Sequence, residues 1–167
     1  MPQSPPTTAS GLTLVGSDTT ERTMTSATAG DLVTITGLSI PATTPFMVVV
    51  AVRKSAAAFD PSIGITINAT VVLEAALSAA IDFPATNEAQ DGVVTFMFAP
   101  RRTGYDHGVQ IVKSLRGASA GSAVVETSGA LTAAVPIATV TDVIIRGDSD
   151  GTNTLAIHGV YVYTLAV

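Results

Sequence analysis

The chain has 167 residues, of which 47% are apolar and only 13% charged; its net charge is −5, and it has neither cysteine nor tryptophan. Its length suits one domain with a sizeable core rather than two small ones. The lack of cysteine excludes disulfides, thiolate catalysis and cysteine-based zinc or iron–sulfur sites. The eight basic residues, Arg22, Arg53, Lys54, Arg101, Arg102, Lys113, Arg116 and Arg146, are scattered and form no stripe that could neutralise a run of phosphates, which argues against direct nucleic-acid binding.

With so few charges the exterior must be largely Thr, Ser, Ala and Gly, a surface suited to packing against neighbours, where fixed charge would have to be desolvated or paired. The 24 Thr, 20 Val and 11 Ile make about a third of the chain β-branched. Such residues lose rotamer freedom in a helix and fit a pleated sheet, so the expected fold is all-β.

Residues 1–10, MPQSPPTTAS, are rich in Pro, Ser and Thr and cannot bury enough apolar area to order themselves. The expectation is an extended N-terminal arm over 1–10, ordered only if its own body or an adjacent subunit holds it, followed by a β-sandwich domain over 11–167. The start lacks the basic segment and apolar core of a secretory signal. The longest apolar run, FMVVVAV (46–52), is far too short to span a membrane as a helix. Synthesis in the cytoplasm without membrane insertion is therefore expected.

Strand-like segments then follow at short spacing: 11–15, 22–28, and 31–38, in which Leu32, Thr34 and Thr36 alternate with Val33 and Ile35. Segment 45–55 is a continuous apolar run of the kind buried on both faces. Further strands are expected at 64–74, 92–100, 105–115, 122–128, 140–147 and 153–167, with Gly, Pro, Asp and Asn clusters between them. About ten strands so punctuated indicate a sandwich or a barrel. Segment 74–80, EAALSAA, fits either two helical turns or a strand. In the last segment Leu155, Ile157, Val160, Val162 and Leu165 share one face only if the alternation slips once, and Gly159 marks a bulge there. Tyr161 and Tyr163 then share the other face. Val143-Ile144-Ile145, the polar stretch 147–153 and this strand are expected to form a closing hairpin.

Several motifs invite chemistry. Asp148, Asp150 and Asn153 in GDSDGTN offer oxygen ligands to calcium, but no third acid or distal Glu follows. The favoured reading is a turn at Asp150-Gly151, so no metal and no cofactor are assigned. GASAG (117–121) matches a nucleophile-elbow pattern at Ser119, with Asp142 or Asp148 and His158 in compatible order. The elbow requires a strand-to-helix turn, whereas the residues that follow read as a strand. No catalytic residue is assigned and the chain is expected not to be an enzyme.

His158 lies in an apolar strand without a second ligand at i±2 and reads as a satisfied, half-buried histidine. Glu74, Asp82 and Glu88 form no recognisable carboxylate pair, and the sequon at Asn68 carries little meaning without a signal peptide. The densest polar and aromatic cluster, PRRTGYDH (100–107), fits either a solvated loop or an interface rim built on Arg101, Arg102 and Tyr105.

The MPQSPPTTASG arm, the low-charge Ala/Thr/Val surface, the pair GVVTFMFAPRRTGYDHGVQIV and the ending DVIIRGDSDGTNTLAIHGVYVYTLAV together resemble the jelly-roll structural proteins of tailed bacteriophages, both head-decoration (cement) proteins and tail accessory subunits. The resemblance implies an all-β, antiparallel jelly-roll-like β-sandwich of about ten strands, a non-enzymatic virion subunit that trimerises or otherwise clusters on a lattice. It would reinforce the shell through contacts with its own kind and with the major capsid protein or other virion proteins. An arm containing Met1, Pro2, Pro5 and Pro6 would bridge neighbours, with Arg101, Arg102 and Tyr105 at the interface. The alternative is a carbohydrate-binding jelly roll of a phage tail or fibre, with Tyr105, Tyr161 or Tyr163 as a stacking platform and calcium at Asp148 and Asp150. Its weakness is the low aromatic content of 5%.

Overall fold

The computed structural model describes residues 11–59, 61–73, 81–82, 87, 89–100, 107–117, 123–131 and 139–166. The expected arm at 1–10, the ambiguous segment 74–80 and the cluster at 101–106 lie outside the described residues. Twelve strands are described: β1 (Leu12–Asp18), β2 (Arg22–Met24), β3 (Gly30–Ile40), β4 (Phe46–Lys54), β5 (Ser62–Ile67), β6 (Thr70–Leu73), β7 (Ile81–Asp82), β8 (Gln90–Pro100), β9 (His107–Gly117), β10 (Ala123–Leu131), β11 (Val140–Asp148) and β12 (Leu155–Leu165). Every pairing is antiparallel. The all-β sandwich expected from the β-branched content is what forms.

The larger sheet runs β1-β12-β4-β8-β9-β10, with β2 also paired to β12; the smaller runs β3-β11-β5-β6, with β7 beside β5. Early and late strands interleave, β3 with β11 in one layer and β1 and β4 with β12 in the other, as in a jelly roll. Among the described residues no helix is long and apolar enough to cross a membrane.

Alternation along the strands, reset once in β3 and once in β12, fills the space between the layers. Phe46, Val48, Val50 and Val52 of β4, Val94, Phe96 and Phe98 of β8, and Leu155, Ile157, Val160 and Val162 of β12 face Val33 and Ile35 of β3, Ile63, Ile65 and Ile67 of β5, and Val143 and Ile145 of β11, all buried. Phe46 and Phe98 are cross-strand partners and stack with centroids 4.4 Å apart and ring planes 4° from parallel. In β3 a positive φ of 74° at Gly37 resets the alternation, so that Leu38 and Ile40 rejoin the core after Ile35.

Two sequence expectations are corrected. Segment 64–74 is not one strand but the hairpin β5–β6, turned at Asn68 and Ala69, both with positive φ (48° and 60°). That left-handed pair matches the twist of a two-residue hairpin, but alanine in place of the usual glycine hid the turn. Asn68 also ties the turn to β11: its Oδ1 accepts from Thr141 N at 2.8 Å and its Nδ2 donates to Thr139 O at 2.9 Å.

Segments 140–147 and 153–167 do not form a hairpin. β11 pairs with β3 and β5, and β12 with β1, β2 and β4, so residues 149–154 cross from one layer to the other. Both strands carry the same inward alternation, and alternation alone does not choose a pairing partner.

The two backbone features predict opposite changes in urea midpoint. Ala69→Gly relieves a left-handed alanine and raises stability by about 1 kcal/mol. At Gly147 an added Cβ would lie 2.6 Å from Leu32 Cδ1 and 2.9 Å from Leu155 Cδ2, so Gly147→Ala lowers it by about 1–3 kcal/mol.

Candidate functional site

β4 is apolar at nearly every position, yet only its inner face is sealed. Phe46, Val48, Val50 and Val52 are buried, whereas Met47, Val49 and Ala51 are half-buried on the outer side. The expectation of burial on both faces is corrected, because no second layer covers this side among the described residues.

Register extends the surface across the sheet. Tyr163, Met47 and Met97 form one row, Tyr161, Val49, Thr95 and Val112 the next, and Gly159, Ala51 and Val93 a third. Cross-strand partners share a face, so this is one apolar band. On its β1 side Leu14 lies opposite Tyr163 and Leu12 opposite Leu165, with exposures of 50%, 52% and 37% for Leu14, Leu12 and Leu165.

The bulge expected at Gly159 is present and has two effects. Pairing of β12 with β4 passes from Ile157 to Gly159 and skips His158. His158 therefore leaves the inward alternation, and its Nδ1 lies 3.1 Å from Glu21 Oε2. Moreover, a Cβ at Gly159 would come within 3.0–3.2 Å of Tyr161 Oη, Cε2 and Cζ. The tyrosine ring thus lies back along the strand over the glycine, a position that a residue without a side chain permits.

Earlier along β12, ending at His158, lies a groove of about 380 Å³, lined by Glu21, Thr23, Arg53, Ser55, Thr154 and His158, with Ala156 and two further alanines. Its walls are held in place. Ser55 N donates to Thr154 O at 2.9 Å and Thr154 N donates to Ser55 Oγ at 3.0 Å. Lys54, fully buried, donates from Nζ to Ala57 O at 2.5 Å and sits 4.8 Å from the centroid of the Phe59 ring, fixing the segment that follows β4. Arg53 Nε lies 3.5 Å from Asp91 Oδ1 at the groove end of the band.

The crossover loop uses its carboxylates internally. Asp148 Oδ1 accepts from Ser62 N at 3.0 Å and Ser62 Oγ at 2.6 Å. Asp150 accepts from Thr152 N at 2.9 Å, Asn153 N at 2.7 Å and Asn153 Nδ2 at 2.6 Å. These bonds, first those from Asn153 and then that from Thr152, hold the Asp150 carboxyl below its usual range. Among the described residues no group of three or more His, Asp or Glu is placed to hold a metal ion.

The remaining sequence candidates fall apart in space or beyond view. Asp142 and Asp148 lie on β11 in the smaller sheet, while His158 lies on the outer side of the larger one. Met1, Pro2, Pro5, Pro6, Arg101, Arg102, Tyr105, Ser119, Glu74 and Glu88 lie outside the described residues. Of Asp82 and His107 only the backbone is placed, on β7 and β9. Glu21, Arg53, Met47 and Met97 carried no sequence signal of a site; only knowledge that one side of β4 stays open would have singled them out.

A carboxylate held below its usual pKa in the folded state contributes stability above its unfolded pKa and loses it as pH falls through the folded one. Asp150→Asn is therefore expected to lower the unfolding midpoint at neutral pH. Its deficit relative to the parent should shrink below the ordinary carboxylate range in a pH series of urea melts.

Neither a family model nor a curated protein matches the sequence. Among solved structures, the chain is similar to the CBM2 module of the evolved Dit of Lactobacillus casei BL23 phage J-1, with a TM-score of 0.38 and 14% identity over 87% of this chain and 76% of that one.

Proposed function

We propose that the chain is a non-enzymatic binding module of a phage virion and that the outer face of its larger sheet takes a saccharide. One observation carries this reading: the Tyr161 ring lies over Gly159, and the residue before that glycine, His158, lines a groove of mixed donors and acceptors. A sugar ring has an apolar C–H face and a rim of hydroxyls. It needs a flat apolar plate next to groups that both give and accept hydrogen bonds. Tyr161, Tyr163 and the Met47/Val49 rows supply the first, and Glu21, Thr23, Arg53 and His158 the second. The phage setting rests on the sequence resemblance. Calcium has no part in the reading, because Asp148 and Asp150 are already occupied by loop and strand donors.

A glycan array followed by calorimetry tests this. Tyr161→Ala is expected to weaken the bound glycan at least about tenfold, or about 1.4 kcal/mol. Gly159→Ala, which pushes the ring off its seat, should weaken it as well, and a chelator should change nothing. Absence of binding to any glycan, or binding that requires calcium, would count against the proposal.

The second reading, a capsid decoration (cement) subunit acting as a homo-oligomer, is favoured by the exposed Leu12, Leu14 and Leu165. Large apolar side chains grouped at a sheet margin suit contact with other virion proteins, and many such contacts add up across a lattice. On this reading, deletion of residues 1–10 leaves thermal unfolding unchanged but lowers shell occupancy, as does Leu14→Glu; full occupancy by both variants would refute it.

A further inference from the structure

The same face also points to the class of saccharide, an inference that rests on the binding reading above. From the arrangement of charge and shape we infer that the ligand is an uncharged linear polysaccharide, bound at an internal stretch of its chain and lying along β12.

Charge supports the first half. The one arginine of the groove already faces Asp91, and His158 already faces Glu21. Among the described residues, a uronic acid or a phosphate-bearing polymer would meet there no cation that does not already face a carboxylate. It would approach two carboxylates on a chain of net charge −5, and like-charge juxtaposition is the usual way a site rejects a wrong ligand. Hydroxyl groups face no such penalty, since carboxylate, guanidinium and imidazole can all exchange water for them. Beyond the groove, the β12 side of the band is Tyr161 and Tyr163 beside Met47 and Val49, without a charge.

Shape supports the second half. The groove is lined on β12 by Ala156 and His158; the Tyr161 ring lies over Gly159, the next residue, and Tyr163 follows two residues on along the same face as Tyr161. From Ala156 to Tyr163 this track measures about 20 Å at roughly 3.3 Å per residue. A track of that length suits several consecutive sugar units rather than a single terminal one.

The test is calorimetry of the full chain with a panel of neutral linear hexose oligosaccharides of increasing length and an oligogalacturonate of matched length, at low and high salt. The expected result is affinity that climbs with length until the track is filled, at least about tenfold above the monosaccharide, and is unchanged by salt. The oligogalacturonate should bind at least about tenfold more weakly than the best neutral oligomer, and Asp91→Asn, which frees Arg53, should raise its affinity severalfold. A monosaccharide that binds as well as the longest oligomer, or a preference for the oligogalacturonate that fades with salt, overturns this inference while leaving saccharide binding intact. Failure of every oligomer, neutral and acidic, to bind overturns the binding reading itself.

Discussion

The register of β12 is the constraint on which this molecule turns. The strand is shared by β1 and β2 on one side and β4 on the other, and its inward residues complete the core beneath all of them. A strict period of two would have driven either His158 or the Val160/Val162 pair to the wrong face. One extra residue at the bulge satisfies both demands, keeping the four apolar side chains inside and leaving the imidazole beside Glu21. The cost is local loss of ladder pairing, which the long antiparallel contact with β4 on either side of the bulge offsets.

From that register follows the contrast between the two sides of the larger sheet. The inner side is closed by the smaller sheet and shows interdigitated Val, Ile and Phe. The outer side has nearly as few charges but no covering layer among the described residues, so Met, Val and Tyr remain half in contact with water. In a chain with more Lys and Glu such a face would be broken up by charge. Here the composition that builds the core also builds an open apolar surface, and among the described residues Arg53, Asp91, Glu21 and His158 frame one end of it with charge.

Much of this was legible beforehand, for definite reasons. β-branched content gave the fold class, and alternation gave the inward residues of β3 and β12, because both report on single strands. The slip at Gly159 could be read since no other register put Ile157 and Val160 on one side. Pairing partners could not be read: nothing in 140–167 says that its two strands belong to different layers. Nor could the Asn68-Ala69 turn, where a tertiary clamp to Thr139 and Thr141 supports a left-handed alanine. The groove was invisible because Glu21, just before β2, Arg53 of β4 and His158 of β12 are distant in sequence. Tyr161 and Tyr163 were identifiable as companions on one face, but the seat of the Tyr161 ring on Gly159 required coordinates.

The meeting of β1 and β12 has a mechanical side. Leu12 is opposite Leu165, and Ala166 N donates to Gly11 O at 3.4 Å, so the two ends of the sandwich leave from the same corner. Tension applied through them would act across the ladder rather than along it, peeling its rungs apart one after another instead of loading them together. Pulling on its two ends would therefore unzip this domain easily. Any strain it has to bear is better delivered through the broad flank of the sheet.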